Sequence, residues 1–212
     1  MKTPAAAVFV LLMAGGSASA HRLDEYLQAT RMSIASEQLL VEMDLTPGAN
    51  IASAIAGTLD LDADGAISPA EAEAYGRVVL SDVIVKADER PIAMSLARIE
   101  VPAIDEMRNG LGTIRLLASG TLAGGRGRHS LSFSNNHKPD ASVYMVNALV
   151  PDDRGVNLGS QSRDPRQREY RVEYAVTTRW TAQLLWVGIG TALMAMVLVG
   201  RRRNEKRITN NE

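Results

Sequence analysis

The chain has 212 residues, no cysteine, and nearly equal numbers of acidic and basic side chains, 24 against 23, for a formal net charge of −1. This balance excludes a nucleic-acid binder that depends on a basic surface, and the lack of cysteine excludes a disulfide framework. The two long apolar runs lie near the ends of the chain and leave about 160 residues between them, which is ample for one core.

The first twenty residues have the pattern of a secretory signal. Lys2 supplies a positive charge, an apolar run follows, and ASA at 18–20 has the small residues of a cleavage site. We predict that residues 1–20 are removed and that the mature chain begins at His21. The alternative, an uncleaved membrane anchor, would need a longer apolar run.

Most of the region 21–178 alternates between apolar and polar residues, which predicts short strands. Two of these runs are separated only by Ser36 and Glu37, which predicts a hairpin. The polar run 159–169 predicts a loop over the membrane surface. The predicted strands are 26–35, 38–46, 82–96 with a turn at Asp88 and Glu89, 112–122, 128–135, 142–150 and 170–176.

The segment 47–81 interrupts this alternation with two short helical patterns. Ile51, Ile55 and Leu59 recur at helical spacing, and residues 69–80 begin with a proline, which favours a first helical turn. Gly57 and Gly76 weaken the two predicted helices, so both need support from packing.

The stretch DLDADGAISPAE at 60–71 lies between these helices, and its crowded carboxylates require a counter-ion. Its pattern resembles the EF-hand calcium loop. The resemblance implies that Ca²⁺ would be bound by four carboxylate side chains, one backbone carbonyl and one contact through water. The carboxylates would be those of Asp60, Asp62, Asp64 and Glu71, the carbonyl that of Ala66, and the water-mediated position Ser68. Calcium suits such a set because it is a hard cation that takes six to eight oxygens.

Two other interpretations of this loop stay open. Ser68 and Glu71 also form the pattern of a helix capping box, and Asp64-Gly65 also favours a turn. A calcium ion here could be a permanent structural component as well as a switch, since sites outside the cytoplasm often bind only at about 0.1 to 1 mM. Residues 105–116 do not form a second loop, because Met107 and Leu116 occupy ligand positions.

The second apolar run, 180–200, has no charged residue and would rise about 31 Å as a helix, enough to cross a bilayer. Three arginines at 201–203 close it. We therefore expect a single-pass protein of the inner membrane, with its main domain periplasmic and residues 201–212 cytoplasmic.

These patterns predict an α+β chain that is mainly antiparallel β. Its parts would be a signal peptide at 1–20, a sandwich-like extracytoplasmic domain at 21–178 with an inserted EF-hand at 47–81, a transmembrane helix at 180–200 and a cytoplasmic tail at 201–212. The predicted function is that of a membrane-anchored calcium-binding protein with a membrane or extracytoplasmic protein as partner. Metalloprotease, serine-hydrolase and phosphate-binding motifs are lacking in the sequence, so no enzymatic activity is predicted.

The segments AHRLDEYLQATRMSI, MRNGLGTIRL and SVYMVNALVP, together with the acidic insert, resemble the extracytoplasmic region of HupE/UreJ-type membrane proteins. That resemblance implies the handling of nickel or cobalt, although one predicted membrane helix cannot form a transport path. The alternative function is therefore that of a transition-metal accessory protein. In it, the α-amine and imidazole of His21 would chelate nickel or copper, completed by His129 or His137. A hydrolase with an unrecognised site and a purely structural subunit are further alternatives.

Overall fold

The structure is a computed structural model that describes residues 24–177, and strands are its main regular structure. The strands are β1 Tyr26–Ile34, β2 Gln38–Pro47, β3 Val83–Ala87, β4 Arg90–Pro91, β5 Ser95–Glu100, β6 Ile114–Thr121, β7 Gly127–Asn135, β8 Ser142–Ala148, β9 Val156–Arg163 and β10 Glu169–Val176. The helices are α1 Ala49–Leu59, α2 Pro69–Ser81 and α3 Ile104–Arg108. The prediction of a mainly β chain of the α+β class is confirmed.

The strands form two five-stranded sheets. The order in the first sheet is β5-β6-β2-β1-β8, and in the second it is β4-β3-β7-β10-β9. Neighbouring strands are antiparallel except for β1 and β8, which run parallel. A parallel pair requires a long connection, and here most of the described chain lies between its two members.

Both sheets contribute to one buried apolar cluster. Along β1 every second residue is buried, from Tyr26 to Ile34. The inward face includes the polar residues Gln28 and Thr30 as well as Met32 and Ile34. Met43 on β2 faces the same cluster as Leu131 on β7 and Val172 on β10, and all three are fully buried.

Helices α1 and α2 connect β2 to β3 and lie across one end of this core. Each buries a single face at helical spacing, and the buried residues are Ala52, Ile55, Ala56 and Leu59 on α1 and Ala72, Tyr75, Gly76 and Val79 on α2. Pro69 occupies the start of α2, where its missing N–H costs nothing. The segment 60–68 between the helices is the acidic loop.

Two predictions were only partly right. The predicted turn at Asp88 and Glu89 lies between β3 and β4, which pair as a short hairpin, but β4 ends at Pro91 and β5 joins the other sheet. The predicted polar loop at 159–169 is a loop over 164–168. Residues 159–163 belong instead to strand β9, which pairs with β10 through backbone hydrogen bonds that polar side chains do not prevent.

Several predictions concern residues beyond the described range. They are the signal peptide 1–20, His21, the transmembrane helix 180–200 and the tail 201–212. Within residues 24–177, none of the helices combines the length and the apolar character needed to cross a membrane.

Candidate metal centre

The acidic loop begins where α1 ends and curls around its own carboxylates. The two oxygens of Asp60 accept hydrogen bonds from the backbone N–H groups of Asp64 and Gly65, both at 3.1 Å. Asp62 accepts a further bond from the Asp64 N–H at 3.2 Å. Gly65 has φ +84°, a left-handed conformation that glycine adopts without strain. The loop therefore turns sharply at the position where the calcium-loop pattern requires glycine.

Glu71 lies in the first turn of α2 and reaches back to the loop. Its Oε1 accepts from the Leu61 N–H at 2.7 Å, and its Oε2 accepts from the Ser68 N–H at 2.8 Å and the Ser68 hydroxyl at 2.7 Å. The two Ser68 donors, followed by the Leu61 amide, lower the pKa of Glu71 to about 2. The carboxylate is therefore ionised throughout the physiological pH range.

Three of the four predicted carboxylates converge. Asp60, Asp62 and Glu71 each place one oxygen so that the three atoms lie within 4.8 Å of one another. Calcium–oxygen distances of 2.3–2.6 Å separate oxygens on opposite sides of the ion by about 5 Å, so all three atoms fit one coordination sphere. The donor set is entirely oxygen, which matches a hard cation.

The remaining predicted ligands have other contacts. Asp64 lies outside the converging group, and its Oδ1 accepts from the Ala66 N–H at 2.8 Å. The Ser68 hydroxyl also accepts from the Glu71 N–H at 3.3 Å, and this completes a capping box at the start of α2. The cap and the turn that the sequence allows are therefore both present, alongside the convergence of the three carboxylates.

A buried polar cluster next to α2 was not predicted. His137 is 2% exposed, and its Nδ1 lies 2.8 Å from Asp82 Oδ2. Its Nε2 lies 3.2 Å from the Tyr75 hydroxyl, which is in turn 2.8 Å from the hydroxyl of Tyr26. Burial lowers the pKa of His137 and raises that of Tyr75 to about 12. We therefore assign a neutral His137 that donates to Asp82 and accepts from Tyr75.

The backbone around His137 is held by buried amide side chains. Gln28 donates to the His137 carbonyl at 2.9 Å, and Asn135 accepts from the His137 N–H at 2.9 Å. Asn135 also donates to Gln28 at 2.8 Å. One signal for this cluster was present in the sequence, since the alternation of β1 places Gln28 on its inward face.

His129 pairs with Asp88 on the second sheet. Its Nδ1 lies 2.8 Å from Asp88 Oδ2, and its Nε2 lies 3.1 Å from the Gly125 carbonyl. Both ring nitrogens therefore face acceptors, and the hydrogen bond to Asp88 is the main reason that the pKa of His129 is raised. His129 on β7 therefore connects the β3–β4 turn, through Asp88, to the loop before β7, through Gly125.

Within residues 24–177, neither His129 nor His137 belongs to a group of converging metal-binding side chains. Among the described residues, the group of this kind is formed by Asp60, Asp62 and Glu71. The predicted chelate at His21 lies outside the described range, so the transition-metal function stays a prediction.

Comparison with known proteins gave no match to a family, to a curated protein or to a solved structure. The HupE/UreJ resemblance therefore stays a prediction from the sequence.

Proposed function

We propose that the protein is a non-enzymatic, membrane-anchored calcium-binding protein. In this proposal the segment 47–81 is an EF-hand inserted in a sandwich-like extracytoplasmic domain, and the predicted helix 180–200 anchors that domain in the inner membrane. The ion would hold α1 and α2 together, and so stabilise or switch a surface that contacts a membrane or extracytoplasmic partner. The observation that carries the proposal is the convergence of Asp60, Asp62 and Glu71.

The electrostatics of the loop favours a bound divalent cation. Three carboxylate oxygens within 4.8 Å of one another repel, and a divalent cation replaces that repulsion by attraction. Asp64, the Ala66 carbonyl and the Ser68 position would complete the coordination according to the EF-hand resemblance. The bidentate closing glutamate of that pattern favours calcium over magnesium, which prefers stricter octahedral geometry.

Calorimetric titration of the detergent-solubilised full chain with calcium tests the proposal. We expect binding by the natural protein and loss of most of the heat in Glu71→Gln. The matched control is Glu73→Gln. It removes the same charge two residues along the helix, where Glu73 forms an exposed ion pair with Arg77. Equal heats for the natural protein and Glu71→Gln would refute calcium binding at this site.

A further inference from the structure

The described chain finishes at one end of the domain, next to two loops. The Thr177 N–H donates to the Gly155 carbonyl at 2.7 Å. Its neighbour Val176 pairs with Gly127 at the start of β7 and with Val156 at the start of β9. We call this region, comprising residues 34–38, 122–128, 149–155 and Thr177, the exit end.

Hydrogen bonds join the segments of the exit end into one surface. The Ser36 N–H donates to Asp153 Oδ2 at 3.1 Å, and the Leu122 N–H donates to the Glu37 carbonyl at 3.0 Å. Asp153 also accepts from the Gly155 N–H at 2.9 Å. Its carboxylate therefore helps to shape the 149–155 loop.

This surface combines an apolar tip with arginines. Val150 is 88% exposed and its neighbour Leu149 is 38% exposed. Arg126, Arg128 and Arg154 are exposed on the adjoining segments, together with the acidic side chains Glu37 and Asp152. Apolar tips beside arginines are typical of surfaces in the interfacial layer of a bilayer, where the guanidinium groups reach lipid phosphates.

The length of the chain brings this surface to the bilayer if the predicted span is correct. Trp180, where the predicted span begins, is three positions after Thr177, and three extended steps of the chain cover at most about 11 Å. A headgroup layer is roughly 5–8 Å thick on each side of the hydrocarbon. Thr177 and the loops bonded to it would thus lie at headgroup level.

We propose that the exit end lies on the lipid surface, with Leu149 and Val150 among the headgroups and the arginines on the phosphates. The acidic loop then faces away from the membrane, because α1 and α2 lie at the opposite ends of the strands. The nine residues of β7 span about 27 Å of that separation. This inference rests on the membrane anchor of the proposed function and not on calcium.

The absence of cysteine from the chain allows a clean test with single labels. The full chain carrying Val150→Cys or Leu111→Cys is labelled with a fluorophore and reconstituted into phosphatidylcholine–phosphatidylglycerol vesicles that contain nitroxide-headgroup lipid. Leu111 is the matched control, since it is 81% exposed and adjoins Gly110, which packs against α1. We expect several-fold stronger quenching at position 150, whereas equal quenching would overturn the inference.

A second variant tests the arginines. Adding Arg126→Gln and Arg128→Gln to the labelled Val150→Cys chain should weaken the quenching, and unchanged quenching would remove these side chains from the proposal. Flotation of the vesicles after an alkaline carbonate wash distinguishes failure of the membrane anchor from failure of the exit-end inference alone. A chain that does not float refutes the anchor and the inference with it, while a chain that floats with equal quenching at both positions refutes the inference alone.

Discussion

The Glu71 carboxylate is oriented by hydrogen bonds from the acidic loop. The amides of Leu61 and Ser68 and the Ser68 hydroxyl donate to it, so its orientation toward Asp60 and Asp62 is already fixed. A ligand that is ordered in advance loses less conformational entropy when an ion binds. The capping box and the proposed calcium site are therefore compatible uses of the same side chain.

Ser68→Ala should show how much the Ser68 cap stabilises α2 without calcium. We expect this change to lower the free energy of unfolding by about 1 kcal/mol, because α2 loses the hydroxyl that caps it. Urea unfolding of a fragment spanning 21–178, in the presence of a chelator, measures the effect. Ser53→Ala is the control, since Ser53 lies exposed inside α1 and alanine is the better helix former there. A similar loss in both variants would contradict a capping role.

The two described histidines should titrate on opposite sides of their ordinary pKa of about 6.5. Burial lowers the pKa of His137, whereas the hydrogen bond to Asp88 raises that of His129. NMR titration of the ring protons, assigned with single histidine variants, checks the order. Two titrations at the same pH would contradict the described hydrogen bonds.

The raised pKa of His129 has a consequence for stability. A group whose pKa is higher in the folded state adds stability that is complete below about pH 6.5 and is lost as the pH rises through the folded pKa. We therefore expect His129→Asn to destabilise the protein more at about pH 5.5 than at about pH 8.5. Urea unfolding at both pH values measures this difference. His137 acts with the opposite sign, because its lowered pKa makes the folded state less stable as the pH falls below about 6.5.

At the scale of elements, the sequence predicts a strand best where one face is buried. The alternation in β1 and β2 marked a hairpin that the structure contains, with Ser33 opposite Leu40 and Ile34 opposite Leu39. Strand β9 has no such signal, since beyond Val156 and Leu158 its residues are largely polar and exposed. It is a strand because β10 offers backbone partners, and pairing between distant segments is not visible in a local pattern.

The two helical glycines should differ when each is replaced by alanine. A methyl group at Gly57 would meet nothing within 4 Å, so Gly57→Ala should stabilise α1 by about 0.5–1 kcal/mol. At Gly76 the added carbon would lie 2.8 Å from Leu96 and 3.2 Å from Ile99 on β5. We therefore expect Gly76→Ala to be no more stable than the natural protein in urea unfolding. An equal gain at both positions would contradict the close approach of α2 to β5.

At the scale of the whole molecule, the candidate site could be located in the sequence but the residues that tie it to the core could not. Aspartates at alternate positions followed by glycine identify the loop without knowledge of the fold. Tyr75 and Asp82 look like ordinary residues in and after a helix, yet both contact the buried His137. This contact depends on residues more than fifty positions apart, which the tertiary fold alone brings together.

These contacts link the proposed ion to the stability of the entire domain. Calcium at one hundred times its dissociation constant should add about 2.7 kcal/mol to the free energy of unfolding. For a domain of this size the thermal midpoint would rise by roughly 5–10 °C. Scanning calorimetry of the solubilised full chain, with calcium and with chelator, measures the shift, and Glu71→Gln should abolish it while Glu73→Gln retains it. Hydrogen exchange should slow in α1 and α2, because the ion would bridge these helices, and also in the core strands β7 and β10, whose amides exchange through global unfolding. Slowing confined to the helices would contradict the link to the whole domain.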